Sequence, residues 1–216
     1  IEHSFDKIVY EPTCKTIARV LLAHGAGAGN RHEFMESFAT QLAEHGVEVH
    51  SFNFPYMQVA YEQDKRCPPN SNKQLVSYFQ TLVETQDGNL PLFIGGKSMG
   101  GRISTQIMAE QKTVNQVLGA FVLGYPFMPP GKPEKLPERV KHFTDINQPV
   151  LILQGERDTF GNKKLIAQHQ LPDNFSVEWL TSGDHSFKPL KSSGVTLEHN
   201  IACAVKYAVQ FIQSMV

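Results

Sequence analysis

Ser98 stands at the centre of Gly96-Lys97-Ser98-Met99-Gly100, inside the stretch LFIGGKSMGGR from Leu92 to Arg102. The spacing G-x-S-x-G suits a strained turn that lifts a hydroxyl off the end of a strand, with small neighbours preventing a backbone clash. A serine hydroxyl attacks an acyl carbon only when a base takes its proton, and that base needs a partner to hold its tautomer. Further along, PVLILQGERD delivers Asp158 and FSVEWLTSGDH delivers His185. Taken singly, these are a serine in a glycine-rich turn, an aspartate in a turn and a surface or capping histidine. Taken together, in the order serine, acid, histidine and each just after a strand-like run, they are the set that nucleophilic acyl transfer needs. Asp184 competes for the acid role, but a residue adjacent to His185 rarely curls back to its ring, so Asp158 is the expected partner.

Acyl transfer also requires hydrogen-bond donors for the oxyanion, and losing one lowers kcat by roughly 10²–10³. The backbone N–H of Met99, directly after the serine, is one candidate. The second is expected from the loop His24-Gly25-Ala26-Gly27 that follows the apolar run ARVLLAH. Ala26 is the first choice there and Gly27 the next, since small residues let backbone approach a substrate closely. His24 reads as a structural histidine that hydrogen-bonds within its own loop.

Two phosphate-binding alternatives fail on particular residues. A P-loop ending in Gly96-Lys97-Ser98 needs a glycine at position 91, where Pro91 offers no N–H. The run HGAGAGN lacks the third glycine of a dinucleotide fingerprint, having Asn30 there, and no acidic residue follows at the ribose distance. HEFME lacks the second histidine of a zinc-protease helix, and no other cluster has metal spacing, so no metal or cofactor is expected.

The elements that must position these residues alternate between strand and helix. Apolar runs at 18–24, 47–54, 90–96, 118–126, 149–155 and 175–181 read as strands. Helical spacing covers 31–45, 73–84, 102–111, about 162–170 and 196–212, and a polar, proline-bearing loop is expected between Phe54 and Lys73. Such alternation predicts an α/β fold, a mainly parallel sheet with helices on both faces, in which ligands sit at the C-terminal strand ends. At 216 residues one domain over the whole chain, 1–216, is expected. A formal net charge of −1 provides no cationic field for nucleic acid. No apolar run approaches a membrane span and no signal-peptide core opens the chain. Three cysteines, Cys14, Cys67 and Cys203, without C-x-x-C spacing, suit a reducing, cytoplasmic setting.

HGAG after one strand, GKSMGG after the next but one, then GERD and GDHSF resemble the ordered motifs of the alpha/beta-hydrolase superfamily over nearly the whole chain. The likeness is nearest to its small dienelactone-hydrolase-like branch, and within it to the set that includes the testis-expressed protein 30, whose members have stretches similar to LGYPFMPPGKPEKL and NFPY. The resemblance implies a Ser98–Asp158–His185 triad with Met99 and Ala26 as donors. Dienelactone hydrolases use a cysteine nucleophile, from which Ser98 departs. The expected activity is therefore that of a serine hydrolase of the carboxylesterase type, acting on a small-molecule ester-like substrate. Thioesterase, peptidase or carbon–carbon hydrolase chemistry would use the same triad. Some relatives are subunits of larger assemblies, so the alternative role is that of a hydrolase-shaped interaction protein.

The proline-rich interval 126–148 leaves room for at most one short helix, so no helical lid is expected. The walls of an open site are then expected from Phe127 and Met128, with Tyr56, Met57 and Tyr61 from the earlier loop. Lys97 is expected to be solvated beside the turn.

Overall fold

The computed structural model describes residues 6–110 and 116–216. Seven strands form one sheet: β1 (Lys7–Tyr10), β2 (Ala18–Ala23), β3 (Val47–Phe52), β4 (Leu92–Lys97), β5 (Val117–Leu123), β6 (Val150–Gly155) and β7 (Phe175–Leu180). Their order is β1-β3-β2-β4-β5-β6-β7, and all neighbours are parallel except β1 against β3. The parallel strands are nearly continuous apolar runs because both faces are covered. In β2, Val20 and Leu22 pack on α1 (Glu33–Glu44) and α7 (Leu197–Gln213), while Leu21 and Ala23 face the opposite layer. That layer contains α2 (Pro55–Glu62), α3 (Asn72–Glu84), α4 (Met99–Glu110), α5 (Leu136–Val140) and α6 (Lys163–Ile166).

The chain moves outward from β2 to β3, then crosses back over β2 to begin β4. The strand order therefore reverses between β2 and β4, and a parallel sheet opens a crevice at the carboxyl ends of such a pair. The Gly25-containing loop leaves β2 on one side of it and Ser98 leaves β4 on the other.

Several boundaries follow local chemistry. The side chains of His32, Ser71, Asn162 and Thr196 accept N-terminal amides of α1, α3, α6 and α7, and Ser71 with Gln74 completes a capping box. Helix α1 gives way to β3 at Gly46, whose φ of 86° is strained for any side chain.

Three elements differ from the sequence expectation. The polar loop after Phe54 contains α2, since Pro55 occupies the first helical position, where its missing N–H leaves no gap in the ladder. The half-exposed KIVY segment adds an antiparallel edge strand, β1, ahead of the first expected strand. The helix expected over 162–170 has only the four residues of α6, and the last expected residue of the helix over 102–111, Gln111, lies outside the described residues. Between β5 and β6 lie two short 3₁₀ turns and the five-residue α5, so no helical lid is inserted there.

Helix α4 approaches the sheet so closely that glycine is required at its start. A methyl group on Gly101 would lie 2.2 Å from Val122 Cγ1 and 2.7 Å from Gly96 O. Gly101→Ala is expected to destabilise the protein by about 1–3 kcal/mol through overpacking, read as a lower urea midpoint at an unchanged slope. An unchanged midpoint would show that the helix can retreat freely.

Candidate active site

Ser98 is the single residue between β4 and α4, and it has a φ of 49°, a left-handed value uncommon outside glycine. Its N–H donates to Leu123 O at 3.0 Å and its carbonyl accepts from Arg102 N at 2.9 Å, so both ends of the strained residue are tied. Gly96 and Gly100 face each other across the turn: a methyl on Gly96 would lie 2.6 Å from the Gly100 carbonyl carbon. On the far side of the crevice, a methyl on Gly25 would stand 3.8 Å from Ser98 Cβ, so the two loops are in close apposition.

The hydroxyl Oγ of Ser98 lies 2.8 Å from His185 Nε2, and His185 Nδ1 lies 2.8 Å from Asp158 Oδ2. The three residues named from sequence thus form one hydrogen-bonded chain. Asp158 is fully buried, and the Phe160 N–H donates to its Oδ1 at 2.8 Å. Asp184 is turned away from the imidazole: its Oδ1 accepts from Ser186 N and Lys188 N at 2.8 and 3.0 Å, closing its own turn.

Gln154, unremarked in the sequence, organises the acid. Its Oε1 accepts from Tyr125 N at 2.7 Å, a bond only the oxygen can make, and so Nε2 is left to face acceptors. That nitrogen lies 2.9 Å from Asp158 Oδ2 and 3.1 Å from both Tyr125 O and Gly161 O. The available signal was a glutamine inside the otherwise apolar strand VLILQG. A buried amide without partners would cost about 1–3 kcal/mol.

The histidine loop is fixed from three sides. Asn200 Nδ2 donates to Thr181 O and Phe187 O at 3.0 and 2.8 Å, and Arg157 Nε donates to Ser182 O at 2.7 Å. Phe187, at a φ of 68°, is fully buried against Phe34, and Phe160 stacks on the imidazole at 4.2 Å between centroids.

Lys97 is the third tether and corrects the expectation of a solvated lysine. Its Nζ donates to His185 O at 2.9 Å and lies 4.6 Å from the centre of the Phe34 ring. Burial lowers its pKa from 10.5 to about 8, against the opposing pull of Asp158 and Asp184.

His24 forms the internal bonds expected of it. The Phe54 N–H donates to Nε2 at 3.0 Å, which leaves the ring hydrogen on Nδ1, 2.6 Å from Gly25 O. Burial lowers its pKa to about 4, so the ring is neutral at pH 7 with no lone pair free to take a proton. Among the described residues, no hydrogen bond engages the Ala26 or Gly27 N–H. The Met99 N–H, at the first position of α4, has no place in the helical ladder.

Of the expected walls, Tyr56, Met57, Phe127 and Met128 are all buried in the sheet-facing core. Phe127 has no exposed surface and packs on Tyr125 and Gly161, so its ring can only back a wall. Tyr61 is half-buried beneath the Arg31 guanidinium, 5.0 Å from the ring centre. No group of three His, Cys, Asp or Glu side chains among the described residues could hold a metal ion, and no described helix is long and apolar enough to cross a membrane.

The burial of Lys97 generates a test by pH. The unfolded chain holds the lysine proton up to about pH 10.5, whereas the native state releases it near pH 8. Between these values the unfolded state binds more protons, so stability rises with pH by up to about 1.4 kcal/mol per unit, while the full penalty persists below pH 8. Lys97→Met is expected to lack this rise when unfolding free energies at pH 7.5 and 9.5 are compared. An equal rise in the variant would mean that the ammonium is well solvated.

A family model described as an alpha/beta hydrolase domain matches residues 16–213. Among solved structures, Est1E from Butyrivibrio proteoclasticus superposes with a TM-score of 0.69 at 13% identity, covering 96% of this chain and 94% of its own. A dienelactone hydrolase from Anabaena variabilis gives 0.66 at 16% identity, over 96% and 90% of the two chains. A monoacylglycerol lipase from Paleococcus ferrophilus gives 0.67 at 13% identity, over 96% and 99%. At these identities the structural likenesses concern the fold, and the family match takes in both loops of the crevice and all three residues of the hydrogen-bonded chain. The protein belongs to the alpha/beta hydrolase family.

Proposed function

We propose that this protein is a serine hydrolase that cleaves an ester-like bond of a small molecule through an acyl-Ser98 intermediate. The observation that carries the reading is the pair of 2.8 Å bonds linking Ser98 Oγ, His185 and Asp158. Both lie within the 2.6–3.2 Å range in which a base can take a proton.

In acylation, Ser98 Oγ attacks the carbonyl carbon while its proton passes to His185 Nε2. The Nδ1–H donates to Asp158 Oδ2, so the imidazolium forms beside a fixed, buried carboxylate. The carbonyl oxygen becomes an oxyanion held by the N–H of Met99 and of Ala26, with Gly27 in reserve. Collapse of the tetrahedral intermediate breaks the bond to the leaving alkoxide, which takes the proton from Nε2 and departs as the alcohol. Water then attacks the acyl carbon and gives its proton to Nε2. The second tetrahedral intermediate releases the acid and returns the proton to Ser98.

Of the three relatives described above, two are named as a dienelactone hydrolase and a monoacylglycerol lipase, and Est1E is known with ferulic acid bound, which supports ester chemistry. The short elements between β5 and β6 leave no cap above the crevice, which favours short acyl groups or the accessible end of a larger molecule.

Hydrolysis of p-nitrophenyl esters from acetate to decanoate tests both parts. The protein is expected to turn over the short esters with the higher kcat/KM, and Ser98→Ala is expected to lower kcat by about 10⁴ or more. Turnover that survives in Ser98→Ala would contradict the acyl-serine route, and a preference for the decanoate would contradict the open site. Relative rates on matched oxygen esters, thioesters and amides then fix the bond type.

A further inference from the structure

Tyr56, placed among the expected walls from sequence, has its polar end elsewhere. The side chain is almost fully buried, and its hydroxyl lies 2.9 Å from Ala26 O and 3.3 Å from Gly25 O. The two carbonyls are consecutive in the loop that leaves β2, and the first also accepts from His24 Nδ1. A trans peptide unit directs its N–H opposite to its C=O. The Gly25 carbonyl, drawn to Tyr56 and His24, thus turns the Ala26 N–H the other way, and the Ala26 carbonyl does the same for the Gly27 N–H. The same loop borders the elbow: a methyl on Gly25 would lie 3.6 Å from Lys97 O and 3.8 Å from Ser98 Cβ.

We infer that Tyr56 is a positioning residue for the oxyanion site: its one hydroxyl hydrogen, shared between Ala26 O and the more distant Gly25 O that His24 also holds, fixes two successive carbonyls so that the Ala26 and Gly27 N–H groups face the crevice. The inference rests on the acyl-serine reading above. Burial holds the phenol proton far above its usual range, so the hydroxyl remains a donor throughout the working pH range. The residue itself is anchored by its own N–H, which donates to Asn70 Oδ1 at 3.0 Å, and by α2, which begins one residue earlier. His24 alone reaches only the Gly25 carbonyl, so without the phenol the Ala26 carbonyl has no side-chain donor in the described structure.

Tyr56→Phe keeps the ring and removes the donor. With p-nitrophenyl acetate, kcat is expected to fall about tenfold at an unchanged KM, since the oxyanion forms only after binding. Phenylboronic acid, which forms a tetrahedral adduct on a serine and places an oxygen among the oxyanion donors, is expected to lose affinity by a similar factor. The midpoint of the rate–pH profile should not move, because Ser98, His185 and Asp158 are untouched. Unchanged kcat and boronate affinity would overturn the inference, as would a KM raised by the same factor by which boronate affinity falls, accompanied by a lower melting temperature. Wild-type protein that neither turns over the ester nor binds the boronate would overturn the acyl-serine reading, and this inference with it.

Discussion

The site depends on a single left-handed residue. Ser98 turns the chain from β4 into α4 in one step, and the three glycines at positions 96, 100 and 101 make that turn feasible. Gly96, Gly100 and Gly101 each lack room for a methyl, with backbone atoms of the β2 loop, of one another and of the turn within 2.8 Å of where it would sit. Strain of this kind costs on the order of 1–3 kcal/mol and persists only where its surroundings over-determine it. Here the tie of Ser98 N to β5, the ladder of α4 and the packing of α4 on the sheet all act on the same residue. The reversal of strand order between β2 and β4 then sets this apex opposite the β2 loop.

From that apex the polar groups are arranged as donors and acceptors with little freedom. Gln154 holds Asp158 and the β5 loop together, Lys97 ties the elbow strand to the histidine loop, and His24 and Tyr56 hold the carbonyls of the β2 loop. Each links loops that follow different strands, so the sheet fixes where these groups start and the buried hydrogen bonds fix how they are aimed. Preorganised dipoles of this sort need little rearrangement as charge develops, which is the main way protein groups stabilise an acyl-transfer transition state.

The parts legible in sequence were those encoded locally. The parallel strands are short apolar runs, the elbow has its glycines, and Asp158 and His185 follow strands. All appear where the residues put them, because a doubly covered strand and a tight turn impose composition directly. Short or marginal elements were less readable. The proline at Pro55 reads as a loop when its role as a first helical residue is not visible, and β1 has too few buried residues for a clear period. Least readable were side-chain environments created at a distance. Lys97 gains its burial from Phe34 and His185, 63 and 88 positions away, and Tyr56 gains its acceptors from residues about thirty positions earlier. Aromatic type and a place in a loop after a strand suggested a pocket wall for Tyr56 and Phe127, whereas tertiary packing put the first under the β2 loop and the second wholly inside the core.

The most direct test of the central claim is covalent labelling of the folded protein with a fluorophosphonate, read by intact mass and peptide mapping. Attack on phosphorus needs an activated Ser98 and also donors for the phosphoryl oxygen, so it reports on the whole arrangement without any assumption about the natural substrate. The expected result is rapid addition of one phosphonyl group, mapped to Ser98. Folded protein that remains unlabelled, or that carries the label at another residue, would contradict it.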